Sequence, residues 1–266
     1  MKKIAENNSE MSQKYVNILG INVVSTTVTR LLLAVRDKMS HNKVFYITTP
    51  NPELVLASTR NPLLKSALNS SDFSIPDGVG LNYAAKFLYG KEVNIIHGRI
   101  LFIKLIELAN KKAWKVFFLG GTGEEASIAA EKLKINYKKV KIETFAGPIL
   151  NEKAIPVTEI NRKLEKDAVD RINKFAPDLL FVAMKNPKQE IWIYKNIKRL
   201  NVGGAMAVGG TFRYIAGMSK LPPEWMENLG LEWLWRLIHE PKRIGRIFNA
   251  VVIFPLKVFW FKLASQ

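Results

Sequence analysis

Five short runs rich in β-branched and aromatic residues punctuate the chain up to Gly210: VFYIT (44–48), KVFFLG (115–120), KIETF (141–145), LLFVAM (179–184) and GAMAVGG (204–210). Each is flanked by Gly, Pro or Asn, and amphipathic patterns of ten to fifteen residues lie between them. This alternation constrains the fold more than any other feature of the sequence. Apolar strands separated by helices predict an α/β chain, with a mostly parallel sheet covered by helices on both faces. Helix starts are expected at Asn51-Pro52-Glu53, Asp77-Gly78 and Asn186-Pro187, where a capping side chain precedes Pro or Gly.

The rhythm stops near Gly217. Beyond Lys220 the sequence turns helical and aromatic, with Trp225, Trp233, Trp235 and Trp260, and residues 241–266 carry Lys242, Arg243, Arg246, Lys257 and Lys262 with no acid among them. The chain therefore divides into a frayed tail (1–14), an α/β domain (15–218) and a basic, Trp-rich helical appendage (219–266). The amino terminus starts basic but lacks an apolar run of signal-peptide length, which reads as a cytosolic chain. Residues 247–256 are uncharged but include Pro255; this is shorter than the roughly 18 apolar residues of a spanning helix, yet long enough to touch lipid.

Composition narrows the partners. Forty Lys and Arg against 23 Asp and Glu leave a net charge of +17, which predicts an anionic partner: nucleic acid, anionic membrane or a phosphorylated substrate. The absence of Cys argues against disulfides, thiolate metal sites and cysteine catalysis, and three His argue against a zinc centre. Nucleic acid ranks last, because the basic and aromatic residues of the tail sit amid aliphatics rather than in a nucleic-acid motif. In the appendage, Trp233, Trp235, Arg236, Arg243 and Arg246 are spaced to place guanidinium groups on one side and indoles on another. Arginine forks recognise phosphates and Trp favours membrane interfaces, although Trp at helical spacing also fits a core.

Several polar turns follow the strands, where ligands of open α/β sheets bind. Thr48-Thr49-Pro50-Asn51 offers a hydroxyl and an amide at a helix start, or simply a cap. In Ile75-Pro76-Asp77-Gly78-Val79-Gly80 the aspartate is either a helix cap or a general base, and Gly78 and Gly80 permit a ligand to approach the backbone. Gly120-Gly121-Thr122-Gly123-Glu124-Glu125-Ala126 fits a loose dinucleotide fingerprint, and Glu143 ends the next strand at about the expected distance, so an NAD-dependent oxidoreductase is a rival. Asn186-Pro187-Lys188-Gln189-Glu190 suits a nucleoside or sugar, or a solvated helix start, and Gly209-Gly210 is either a ligand turn or a packing device. His97 and His239 read as structural.

Taken together these segments resemble the WecG/TagA/CpsF glycosyltransferases, a family that includes N-acetylmannosaminyltransferases of teichoic-acid and enterobacterial common antigen synthesis. The resemblance is carried by TTPNPELVLASTRNP (48–62), IPDGVGLNYAAKFLYG (75–90), VFFLGGTGEEA (116–126), NPKQEIWI (186–193), VGGTFRYIAG (208–217) and PPEWMENLGLEWLWRLIHEPKR (222–243). It implies a Rossmann-like domain with a membrane-associating appendage. It also implies metal-independent, cofactor-free, inverting transfer of a sugar from a UDP-sugar donor to a polyprenyl-diphosphate-linked acceptor at the inner membrane face. In that frame Asp77 matches the catalytic base, and Thr49 and Asn51 line its pocket. Gln189 lies near the substrate, and Arg236, Arg243 and Arg246 neutralise the diphosphate. A non-catalytic paralogue that binds nucleotide or lipid is the alternative, and a homo-oligomer is left open.

Three positions depart from the pattern. Ile95 and Ile100 stand where the family usually has Arg and Asp, and Arg213 follows Phe212 where Phe-Asp is usual. Arg99, His97 or Arg213 is then expected to supply the missing cation.

Overall fold

A computed structural model describes residues 15–264; the segment 1–14 read as a frayed tail lies outside the described residues. An antiparallel hairpin, β1 (Tyr15–Ile18) and β2 (Ile21–Val24), precedes the sheet. The sheet comprises β3 (Phe45–Thr48), β4 (Phe73–Ser74), β5 (Lys115–Gly120), β6 (Lys141–Phe145), β7 (Leu179–Ala183) and β8 (Gly204–Ala207). All pairings are parallel, in the order β4-β3-β8-β7-β5-β6. The five strands read from the sequence are all present. The hairpin and the two-residue β4 were missed, because their apolar runs are too short to stand out.

Successive strand residues feed opposite faces. On one face, Tyr46, Phe117, Leu119, Leu180, Val182 and Ala205 pack against α2 (Pro52–Ser58), α3 (Pro62–Asn69), α4 (Val79–Tyr89), α7 (Glu159–Phe175) and α8 (Lys188–Asn196). On the other, Phe45, Val116, Phe118, Phe181 and Met206 meet α1 (Val28–Ser40), α5 (Gly98–Lys112), α6 (Glu125–Asn136) and α9 (Thr211–Ile215). This two-sided burial is why the strands read as continuous apolar runs rather than alternating ones. Phe118 sits in an aromatic cluster there, with ring centroids 4.6 Å from Phe212, 5.6 Å from Phe102 and 5.9 Å from Phe181. β3 and β8 approach so closely that a Cβ on Gly204 would lie 2.2 Å from the Phe45 ring.

The appendage forms α10 (Glu224–Asn228), α11 (Glu232–His239), α12 (Ile244–Phe248), a π-helical turn (Asn249–Ile253) and α13 (Phe254–Ala264). Phe254 and Val258 join the first core cluster. Lys257 Nζ donates to Thr59 Oγ1 at 2.9 Å and Lys262 Nζ to the Phe87 carbonyl at 2.6 Å, so α13 is tied along α2 and α4. The expectation that no segment is long enough to span is revised. Helical bonding runs on through Pro255, and Pro241–Leu263, at mean hydropathy 1.6, is by length and composition able to cross a membrane. Within that stretch, Phe254 and Val258 are buried against the domain while most of the other side chains stay at least partly exposed.

Phe118→Ala would open a cavity among the rings of Phe102, Phe181 and Phe212. It is expected to cost about 3–5 kcal/mol, read as a lower urea midpoint with an unchanged denaturant slope.

Candidate functional site

In a parallel sheet all carboxyl ends share one edge, so the turns after β3, β4, β5, β7 and β8 converge there. At the β3–β4 end the ladder continues past the strands. Ile75 N–H donates to the Thr48 carbonyl at 2.9 Å, Asp77 N–H to the Pro50 carbonyl at 2.8 Å, and Ile96 N–H to the Pro76 carbonyl at 3.1 Å. Three extended segments, 48–50, 75–77 and 96–97, thus lie side by side and bring Gly98, the first residue of α5, beside Thr49 and Asp77. A Cβ on Gly98 would be 3.2 Å from Thr49 Oγ1 and 3.4 Å from Asp77 Oδ2, which measures how tightly hydroxyl and carboxylate converge.

Asp77 does not cap the helix that follows it. The N-cap of α4 is Gly78, at φ 97°, without a side-chain bond, so the capping alternative is corrected. The carboxylate turns instead toward α5: Gly98 N–H approaches Oδ2 at 3.4 Å, and His97 Nδ1 lies 3.2 Å from Oδ1. The carboxylate thus sits at the amino end of a 15-residue helix. His97, read from the sequence as structural or as a substitute cation, is thus in contact with Asp77; its position next to Gly98 at a helix start is the available signal.

Glu232 of α11 completes the group. Its buried Oε1 makes no hydrogen bond but stands 3.5 Å from both His97 Nδ1 and Arg99 Nη1. Arg99 also pairs with Glu227, and Arg236 Nη2 stands 3.9 Å from Glu232 Oε2. The hydrogen bond to Asp77 raises the His97 pKa; burial opposes this, the charges of Asp77 and Glu232 add to it and Arg99 subtracts. Burial opposes charge on Arg236, but Tyr214, Glu232, Asp77 and Glu240 outweigh it and raise its pKa. Ile95 packs against the core and Ile100 is exposed, as is Arg213, so the nearby cations are His97, Arg99 and Arg236.

The remaining sequence-derived residues are dispersed along the same edge. Asn51 caps α2, its Oδ1 accepting from Leu54 N–H at 2.9 Å, and a Cβ on Gly80 would strike Pro52 Cγ at 2.7 Å, so these two build the wall of the site. Asn186 is no backbone cap; its Oδ1 accepts from Gln189 Nε2 at 2.6 Å. Gln189 is buried. It also donates to Glu190 Oε1 at 2.8 Å and accepts from Gly209 N–H at 3.1 Å, tying the β7 turn to the β8 turn beside Gly210. Arg246 pairs with Glu53 and Arg243 with Glu240.

The Gly120–Gly121 turn is closed on itself. Gly121 N–H donates to the Ala183 carbonyl at 2.8 Å and Thr122 N–H to Glu125 Oε2 at 2.9 Å, while a Cβ on Gly120 would sit 2.4 Å from the Ala183 oxygen. Two amides that a pyrophosphate would need are spent, and a carboxylate occupies the turn. Glu143 does not end its strand; it pairs with Phe117 in mid-ladder. Neither feature supports a dinucleotide site. Among the described residues no group of three or more His, Cys, Asp or Glu is arranged to hold a metal ion.

Glu190 is fully buried and its Oε2 has no hydrogen-bond partner. Burial pushes its pKa up to about 7; Gln189, a backbone N–H and Arg246 act against the shift, and Glu53 adds to it. Below the unfolded value of 4.5 the group is protonated folded or unfolded, and the penalty appears as pH rises from there to about 7. Glu190→Gln should match the wild type in stability below pH 4.5 and exceed it above pH 7, by about 3 kcal/mol. Denaturation across pH checks this; a pH-independent difference would show that the carboxyl is not held neutral.

Comparison with known proteins bears on the whole chain. An N-acetylglucosaminyldiphosphoundecaprenol N-acetyl-beta-D-mannosaminyltransferase of Staphylococcus aureus (strain MW2) is 30% identical over 246 residues, covering 91% of each chain. Its namesake from Bacillus spizizenii is 28% identical over 211 residues, covering 79% of this chain and 77% of that one. The description "Glycosyl transferase WecG/TagA/CpsF family" fits residues 16–266. The chain belongs to the WecG/TagA/CpsF family and is a glycosyltransferase.

Proposed function

We propose that the protein transfers an N-acetylmannosamine-type sugar from a UDP-sugar to an N-acetylglucosaminyl-diphospho-polyprenol acceptor in cell-surface polysaccharide synthesis. The transfer inverts the anomeric centre and uses no metal. The observation that carries this reading is the convergence of Asp77 and Thr49 beside Gly98 at the carboxyl edge of the sheet, with Arg236 nearby.

Asp77 takes the proton of the acceptor hydroxyl as that oxygen attacks the anomeric carbon. The bond to the UDP oxygen breaks and its electron pair leaves with the diphosphate. Thr49 orients the acceptor. Arg236, with Arg243 and Arg246 on the same appendage, faces the diphosphate in place of a metal ion.

The appendage from residue 219 holds the enzyme on the inner face of an anionic membrane. Phe248, Leu256, Phe259, Trp260 and Leu263 are exposed along Pro241–Leu263, and Lys242 and Lys257 accompany them. That composition suits a helix lying in the headgroup region.

With UDP-N-acetylmannosamine and N-acetylglucosaminyl-diphospho-undecaprenol, wild type should release UDP. Asp77→Asn should lower kcat by about 10²–10⁴-fold while UDP still raises the melting temperature. Turnover at the wild-type rate in that variant would remove Asp77 from the role of base. Trp260→Glu should weaken sedimentation with phosphatidylglycerol vesicles; undiminished binding would mean the membrane face lies elsewhere.

A further inference from the structure

His97 stands between two carboxylates from different parts of the chain. Its Nδ1 is 3.2 Å from Asp77 Oδ1, on the core, and 3.5 Å from Glu232 Oε1, on the appendage. All three side chains are largely shielded, at 21%, 27% and 19% exposure. The charged groups facing His97 are Asp77 from the segment after β4, Arg99 from α5, and Glu232 from α11, with Glu227 of α10 and Arg236 of α11 behind them. Asp77, Glu227 and Glu232 are three anions; Arg99 and Arg236 are two cations. The cluster is neutral only when the imidazole carries a proton.

We propose that His97 is the positioning residue for Asp77, and that as an imidazolium it ties the base of the core to Glu232 of the appendage. This rests on the reading of Asp77 as the base. A neutral ring has one donor to offer at Nδ1 and no charge to offset two carboxylates that converge on it. Once it loses its proton, Asp77 and Glu232 repel across a shielded gap, and α11 is driven outward with Arg236 on it. The direction of the His97 shift agrees, since both carboxylates favour the charged ring. The productive state therefore has Asp77 ionised and His97 protonated. The upper edge of the pH window is set by His97 and lies above the ordinary histidine value of 6.5.

The test is the pH dependence of kcat/KM for the full-length enzyme with UDP-N-acetylmannosamine and N-acetylglucosaminyl-diphospho-undecaprenol, in wild type and two variants. Wild type should give a bell. His97→Asn keeps a donor near Asp77 but no charge, so the upper limb should vanish and kcat should fall about 10-fold or more. Glu232→Gln leaves the imidazole without its second carboxylate, so the upper limb should move down by about one pH unit or more. A merely structural role for His97 would lower the amount of folded enzyme without moving either limb.

Wild-type limbs in Glu232→Gln, or an upper limb retained in His97→Asn, would overturn the inference. If those profiles stay wild-type while Asp77→Asn is inactive, this inference alone fails. If Asp77→Asn remains active, the base assignment fails and takes this one with it.

Discussion

Everything at the candidate site depends on the backbone ladder continuing past the strands. β4 is two residues long, yet hydrogen bonds from Ile75, Asp77 and Ile96 keep segments 75–77 and 96–97 in register with 48–50. Register fixes which side chains are neighbours, so Thr49, Asp77 and Gly98 meet because the peptide groups do, not because their side chains attract. The turn out of this row falls on Gly78 at φ 97°, a conformation that a residue with a Cβ adopts only with strain. The carboxylate of Asp77 is left approached by main chain at Oδ2 and by the His97 ring at Oδ1.

The second constraint is that almost every cation near the site already has a carboxylate. Arg99 is held by Glu227 and Glu232, Arg236 by Glu232, Arg243 by Glu240 and Arg246 by Glu53. An anionic ligand drawn to these guanidinium groups must compete with the anions in place. Of these pairs, those of Arg99 with Glu227 and Glu232 and of Arg246 with Glu53 join the appendage to the core.

The sheet was legible in the sequence because two-sided burial writes itself as apolar runs, and β5 and β6 lie where those runs were read, at 115–120 and 141–145. Pro and Asn punctuation likewise located the starts of α2 and α8. What composition and spacing left open was partnership. Whether Asp77 caps its own helix or faces another depends on a contact with residues 97 and 98, and nothing local encodes that. The same limit hid Glu232, which looks like an ordinary first-turn acid of an amphipathic helix until α11 folds over the core. The Gly121 turn erred in the opposite direction: its local pattern invited a phosphate, and only the tertiary bonds to Ala183 and Glu125 reveal that its amides are occupied.

The net charge of +17 can now be apportioned in physical terms. Since the arginines around the site are matched by Glu53, Glu227, Glu232 and Glu240, the excess lies mostly elsewhere, including Lys242, Lys257 and Lys262 after Pro241. There Lys257 and Lys262 bond to Thr59 and the Phe87 carbonyl while Phe259 stacks on Phe87 with centroids 6.3 Å apart. The lysine stems thus lie along apolar surface, and the helix keeps an exposed aromatic side that includes Trp260. Helix and catalytic edge are joined through Arg246 and Glu53, on the helix that Asn51 caps. The Arg246–Glu53 pair thus links this helical stretch to the wall of the candidate site.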